Sequence, residues 1–490
     1  MKKSTILAIA VLIFLFSCIT KNQEEKLPNI LFVVTDDMGQ EVGCYGDKIA
    51  RTPEIDKFAE VSHRFENAYV TAASCSPSRS SILTGLYPHQ NGQIGLSHRG
   101  FSMSEEFSSI PTYLKQKGYY TGILGKLHVE PHSAFQFDYM LGGFDTPYNG
   151  KPSVMVKEPR ELIELNWNKK REVEKFTRMV RDVADTTASF INHSGEKPFF
   201  LMVNILDPHS PFYHQVDGYP QNPLKPGDVQ IPGFVNRQAS PQLLNTVAGY
   251  YNGCTRADAT FGRILEVLKD MGEYDNTLII FLGDHGAPLP RAKLTNYEAG
   301  LRIPFIMKLP GQEKGDVSAE YISTIDMFPT IIDLLGDPKP ETLPGKSLID
   351  KLNDKPRTNQ VAFGDYNFHV GNNPDPRRSV STPKYKLIHH LFANEFKEIL
   401  SQYSKDDFKT GNIYGRKDLP EYELYDLESD PYELNNLAYN KDYEDELNRL
   451  INHLRAWQND TNDELWLDKG SRQSFLTKMV SLVKSDLKRQ

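Results

Sequence analysis

The chain has 490 residues, of which 39% are apolar, 11% aromatic and 24% charged, a globular composition that excludes collagen-like, coiled-coil and largely disordered chains. Its 56 basic and 64 acidic residues leave a net charge of −8. Nucleic acid is therefore not expected as a partner, because proteins that hold it carry a basic excess, and any polyanion would need positive charge gathered at one place.

Lys2 and Lys3 precede an uninterrupted apolar run at 6–16. A spanning helix takes about 20 apolar residues, so the shorter run has the shape of an export signal. It ends in Leu15-Phe16-Ser17-Cys18, which resembles the bacterial lipoprotein box. Residues 1–17 are therefore predicted to be a lipoprotein signal peptide, Cys18 the lipidated residue and 18–27 a polar tether. The expected location is exported and lipid-anchored to the bacterial cell membrane, at the outer membrane or the periplasmic face. Cys44, Cys75 and Cys254 remain; three cannot all pair, so at least one is free or has a task.

From residue 28, short apolar runs end in polar residues four times: 30–34 before Asp36-Asp37, 121–124 before Gly125-Lys126, 199–206 before Asp207-Pro208-His209, and 277–282 before Gly283-Asp284-His285. Runs of this kind suit strands buried on both faces. Helical patterns lie between them at 53–60, 110–117, 172–192 and 244–272. Alternating strands and helices predict an α/β domain over 28–350, and ligands of such sheets collect at the carboxyl ends of the strands. After a linker at 354–357, strands are predicted at 361–368, 384–391 and 423–427, with a helix at 443–458. Residues 358–490 read as a smaller α+β subdomain, antiparallel in its sheet, closed by an amphipathic helix at 471–490 that docks one face.

Cys75-Ser76-Pro77-Ser78-Arg79 opens a helical stretch. A helix N-terminus favours anions and activates a thiol, and Arg79, one turn on, points back at the same spot. Asp36, Asp37 and Asp284 end strands, and three carboxylates suit a hard, oxygen-loving cation.

With these residues the chain resembles the formylglycine-dependent sulfatases, over most of its length from about 28 to 457. The segments at 29–37, 73–92, 122–128, 207–212, 279–286, 300–304 and 422–437 follow the family's order. Within the family, 75–92, 125–129 and 424–437 are most similar to the N-sulfoglucosamine sulfohydrolase branch, and bacterial enzymes acting on sulfated polysaccharides such as ulvan share the look. The resemblance implies an alkaline-phosphatase-like sandwich, a large mixed, mostly parallel sheet covered by helices. It implies that Cys75 is oxidised to formylglycine (3-oxoalanine) by a formylglycine-generating or anaerobic sulfatase-maturing enzyme. It further implies Ca²⁺, with Mg²⁺ as the alternative, held by Asp36, Asp37, modified Cys75, Asp284 and His285. His285 stands where many relatives have Asn; its imidazole is a softer ligand, so either metal preference shifts or it contacts sulfate. By the same resemblance Arg79 and Lys126 bind at the centre, His128 deprotonates the diol, His209 protonates the leaving group and Lys293 contacts sulfate, with Arg291 close by in sequence. His98, Arg99, Arg377, Arg378, His389 and His390 are candidate contacts to a uronate or second sulfate. The implied substrate is a sulfated oligo- or polysaccharide, with the O- or N-linkage open. Phosphoester hydrolysis and a non-catalytic glycan-binding lipoprotein are the competing classes.

Overall fold

A computed structural model describes residues 26–141, 180–349, 360–369, 375–395 and 419–488. The export signal, Cys18, most of the tether, the linker at 354–357 and the first part of the helix expected at 172–192 lie outside them.

Eight strands form the larger sheet: β1 (Asn29–Asp36), β2 (His63–Tyr69), β3 (Tyr120–Gly125), β4 (Tyr139–Leu141), β5 (Phe199–Pro208), β6 (Thr277–Gly283), β7 (Arg302–Lys308) and β8 (Asp316–Ser323). Their order is β4-β3-β5-β1-β6-β7-β2-β8. All pairings are parallel except those of β7 with β6 and β2. The mixed, mostly parallel sheet is thus as expected. Every residue of β1 is buried, because its apolar side chains alternate between two cores. Ile30, Phe32 and Val34 enter one, and Leu31 and Val33 the other.

Helices cover both faces: α1 (Pro53–Glu60), α2 (Cys75–Thr84), α3 (Ile110–Gln116), α4 (Val180–Ser194), α5 (Pro241–Asp270) and α6 (Met327–Leu334). Phe58 of α1, Phe190 of α4 and Phe261 of α5 pack with Leu31; Ile82 of α2, Leu114 of α3 and Phe328 of α6 pack on the opposite face. Helix α5 starts three residues before the apolar pattern does, because Ser240 caps it by accepting from the Leu243 amide and Pro241 is already suited to a first turn.

The smaller sheet is antiparallel, in the order β12-β11-β10-β9, built from β9 (Ala362–Tyr366), β10 (Arg377–Ser381), β11 (Tyr385–His390) and β12 (Tyr422–Asp426). Helix α7 (Glu444–Asp460) lays Leu450, Leu454 and Trp457 on Val380, Leu387 and Leu424. Helix α8 (Lys469–Lys488) docks by Phe475, whose ring stacks on Phe392 at 5.9 Å. No described helix is long and apolar enough to cross a membrane.

Strand β10 was not expected, and it overturns several of the sugar contacts. Arg378 is fully buried; its Nε and Nη2 donate to Asp463 at 2.7 and 2.9 Å, and Nη1 lies 2.9 Å from Asp365. Arg377 lies over the Tyr366 ring at 4.5 Å and donates to the Leu294 carbonyl. His390 sits between Asp375 and Glu423 at 2.9 and 3.1 Å, and buried His389 stacks on Tyr422 at 4.6 Å. These basic groups satisfy buried carboxylates and pack on rings inside the subdomain, so they are not presented to a sugar.

Candidate active site

Four neighbouring strands, β3-β5-β1-β6, deliver the site from their carboxyl ends. Strand β1 ends in Asp36 and Asp37, β3 leads to Lys126 and His128, β5 to His209, and β6 to Asp284 and His285. The chain must turn sharply to leave each strand. Gly125 does so at φ 81°, where a Cβ would come within 2.3 Å of the Asn204 carbonyl oxygen. Asp37 and His128 hold φ of 69° and 56° without being glycine, a conformation that costs energy and collects at functional sites.

Cys75 is the first residue of α2, and all ten residues of that helix are buried. Four residues make about one helical turn, so Arg79 shares its face with Cys75. The Cys75 Sγ lies 3.4 Å from His285 Nε2 and 3.9 Å from Asp36 Oδ1. Arg79 donates through Nε to Asp284 Oδ2 at 3.0 Å, and through Nη1 to Asn204 Oδ1 at 2.6 Å and to the Lys126 carbonyl at 3.0 Å. Lys126 Nζ donates to Asp36 Oδ2 at 2.7 Å, and Lys293 Nζ to Asp37 Oδ1 at 2.6 Å. Lys293, from a distant loop, thus belongs to the cluster; Arg291 instead donates to the carbonyls of Tyr432 and Glu433. His209 is 30% exposed, with Nδ1 2.6 Å from the Ser210 carbonyl and Nε2 3.9 Å from Asp37 Oδ2, so one nitrogen faces the cluster at an open mouth.

The charges perturb one another strongly. Burial pushes the Cys75 thiol up, but Lys126, Lys293 and His285 outweigh it and hold the thiol well below its ordinary value. Burial opposes ionisation of Asp36 too, and Lys126, His209 and Arg79 overcome it, holding that carboxyl far below the usual range. Asp284 is raised, by burial and then by Asp36 and Cys75. His285 rises to about 9, since Asp284 and Asp37 more than offset its burial.

The donor set fits a divalent cation. Ligand atoms of Asp36, Asp37, Cys75 and His285 all lie within 4.8 Å of one another, and Asp37 Oδ2 is buried with no hydrogen-bond partner. The His285 Nδ1 lies 3.0 Å from the Gly286 carbonyl; an N–H donated there leaves the Nε2 lone pair facing the cluster. Asp284 borders this group: Oδ2 accepts from Arg79, Oδ1 accepts from the Asp37 amide at 2.8 Å, and Oδ1 lies 3.8 Å from His285 Nε2.

Cys44 and Cys254 carry free thiols. His98 is exposed and reaches His128, with Arg99 half-buried next to it. Two neighbours escaped the sequence reading. Asn204 had a signal, being a polar residue within a wholly buried apolar strand, where it must find partners. His369 had none: it follows β9 and brings Nδ1 within 2.8 Å of Ser74 Oγ, beside the nucleophile.

Family models named "Sulfatase" and "N-sulphoglucosamine sulphohydrolase, C-terminal" match residues 28–337 and 291–420. The chain is 31% identical to the N-sulphoglucosamine sulphohydrolase of Homo sapiens, over 89% of its own length and 90% of that protein's. It is 29% identical to an ulvan-active sulfatase of Formosa agariphila, over 89% and 81% of the two chains. Its fold matches, with a TM-score of 0.65 at 20% identity, a solved protein in complex with its substrate D-glucosamine-2-N,6-O-disulfate, over 91% of this chain and 100% of that one.

Proposed function

The chain belongs to the sulfatase family and is a sulfuric ester hydrolase, and from that premise we propose that it removes sulfate from a polysaccharide or its oligosaccharides outside the cytoplasm. The observation that carries this reading is the convergence of Arg79, Lys126, Lys293 and three histidines on the buried Cys75 at the ends of four adjacent strands.

Oxidation of Cys75 to formylglycine, by a dedicated maturing enzyme, would supply a hydrated aldehyde, one oxygen for attack on sulfur and a second hydroxyl whose deprotonation expels sulfate. Arg79, Lys126 and Lys293 are already opposed by Asp36, Asp37 and Asp284. A divalent cation, Ca²⁺ by resemblance or Mg²⁺, bound through Asp36, Asp37, modified Cys75, Asp284 and His285, would add the charge that offsets the anionic substrate. Lys126 and Lys293 hold sulfate oxygens. His209, whose Nε2 faces the cluster, hands a proton to the leaving oxygen or nitrogen. His128, which follows β3 and helps lower the Cys75 thiol, takes the proton that drives product release.

Sulfate release measured across heparan, chondroitin, ulvan and carrageenan oligosaccharides tests the reading; silence on all of them overturns it. Sulfate release from N-sulfated heparan that leaves an unsubstituted glucosamine amine would instead favour a sulfamidase, a second reading supported by the match at 291–420 and the human relative. Intact mass separates both from a glycan-binding lipoprotein, in which Cys75 would keep its thiol. The pattern ending at Cys18 supports a lipid anchor. Cys18→Ala should move the protein from the membrane to the soluble fraction, and unchanged fractionation would exclude the anchor.

A further inference from the structure

His98 is the middle residue of a single turn, Ser97–Arg99. Its ring lies edge to edge with that of His128, with centroids 5.2 Å apart and planes within 6°. Its Nδ1 lies 3.0 Å from His128 Nε2. The turn is itself tied to the nucleophile's helix, since the Ser97 amide donates to Ser76 Oγ at 3.1 Å. His128 is therefore linked to the nucleophile's helix through His98 and the turn that carries it.

A hydrogen bond between two imidazoles needs an N–H on one ring and a lone pair on the other. The contact thus couples the tautomer of His128 to that of His98 and orients its ring. Because the two rings are nearly coplanar, the bond runs along both ring edges and restricts χ2 of His128, which is broad for a histidine left alone. The backbone of His128, at φ 56°, sets where the ring starts, and the bond to His98 narrows how it can turn.

We propose that His98 is a positioning residue that fixes the plane and tautomer of His128 beside Cys75, rather than a sugar contact. The inference rests on the sulfatase reading insofar as His128 works at that position. It differs from a substrate role in a measurable way, because positioning acts on every substrate and a sugar contact only on glycans.

The experiment compares wild type, His98→Ala and His98→Asn on a sulfated oligosaccharide and on 4-nitrophenyl sulfate, which has no sugar. It also records the ¹⁵N spectrum of labelled histidine. Acid–base groups supply roughly 10²–10⁴ in rate; mispositioning one should cost a part of that. His98→Ala should lower kcat about 10-fold or more on both substrates with KM within about 2-fold, and His98→Asn, whose amide can replace Nδ1, should recover most of it. The His128 nitrogens should show one tautomer in wild type and His98→Asn and a mixture in His98→Ala. A raised KM confined to the oligosaccharide, or a His128 spectrum indifferent to His98→Ala, would overturn the proposal. The spectrum decides the point for His98 even if no substrate is turned over, an outcome that would instead sink the sulfatase reading.

Discussion

Two buried clusters in this molecule use the same residue types to opposite ends. At the mouth of the large sheet, Arg79, Lys126, Lys293 and His285 meet Asp36, Asp37 and Asp284. Yet Asp37 Oδ2 and Arg79 Nη2 stay buried without a hydrogen bond. In the small subdomain, Arg378 spends Nε, Nη1 and Nη2 on Asp463 and Asn367, and both nitrogens of His390 meet carboxylates. In the first cluster the unpartnered atoms belong to the charged groups around Cys75, which leaves them able to take a ligand; in the second, the charges of Arg378 and His390 are spent on carboxylates and hold the fold together. Burial and charge alone do not separate a site from a clasp. What the charged groups are spent on does.

The widest gap between the clusters should appear on removing a member of each. Cys75→Ala should abolish sulfate release, by about 10⁴-fold or more as for other lost nucleophiles, while circular dichroism and melting stay close to wild type. Arg378→Ala should do the reverse. It strands Asp365 and Asp463 in the interior and should cost about 3–5 kcal/mol in denaturant unfolding, with kcat per folded molecule nearly unchanged. A catalytic defect in folded Arg378→Ala would restore it to the substrate site and collapse the distinction. Chelation comes next. A ligand of the native state at about 100-fold over its Kd adds about 3 kcal/mol, so EDTA should lower the melting point of wild type and leave an Asp37→Asn variant unmoved.

The smallest effect is a pH dependence. His390 is raised from 6.5 to about 8; burial opposes this, and Asp375 and Glu423 outweigh it. A group raised on folding contributes its full share below its unfolded value and loses it as pH climbs through the folded one. A shift of this size is worth about 2 kcal/mol. Unfolding free energy should therefore decline between pH 6.5 and pH 8, and the decline should shrink in His390→Gln. An equal decline in that variant would assign it elsewhere.

Much of the large domain was legible because its strands are unbroken apolar runs. Strands β1, β3, β5 and β6 are named by composition alone, and the polar residues that follow them mark the site. Strands β2 and β10 were not legible. His63-Arg64-Phe65-Glu66-Asn67 and Arg377-Arg378-Ser379 carry charges where a buried strand usually carries Val or Ile. They are strands because distant carboxylates and carbonyls satisfy those charges, as Asp365 and Asp463 do for Arg378. The same gap misled the reading of the basic residues at 377–390, whose partners are over 80 residues away or across a sheet. His98 shows the converse case. Its proximity to the centre was expected, but its contact is with His128, a pairing between residues thirty apart that no local pattern encodes.

Helix α2 presents none of its ten residues to solvent. Such a segment has no outside once the chain has closed around it, and Cys75 is 2% exposed. Access to that sulfur in the folded chain is therefore a matter of size: a small anionic group projecting from a larger molecule can be admitted where the bulk of that molecule cannot.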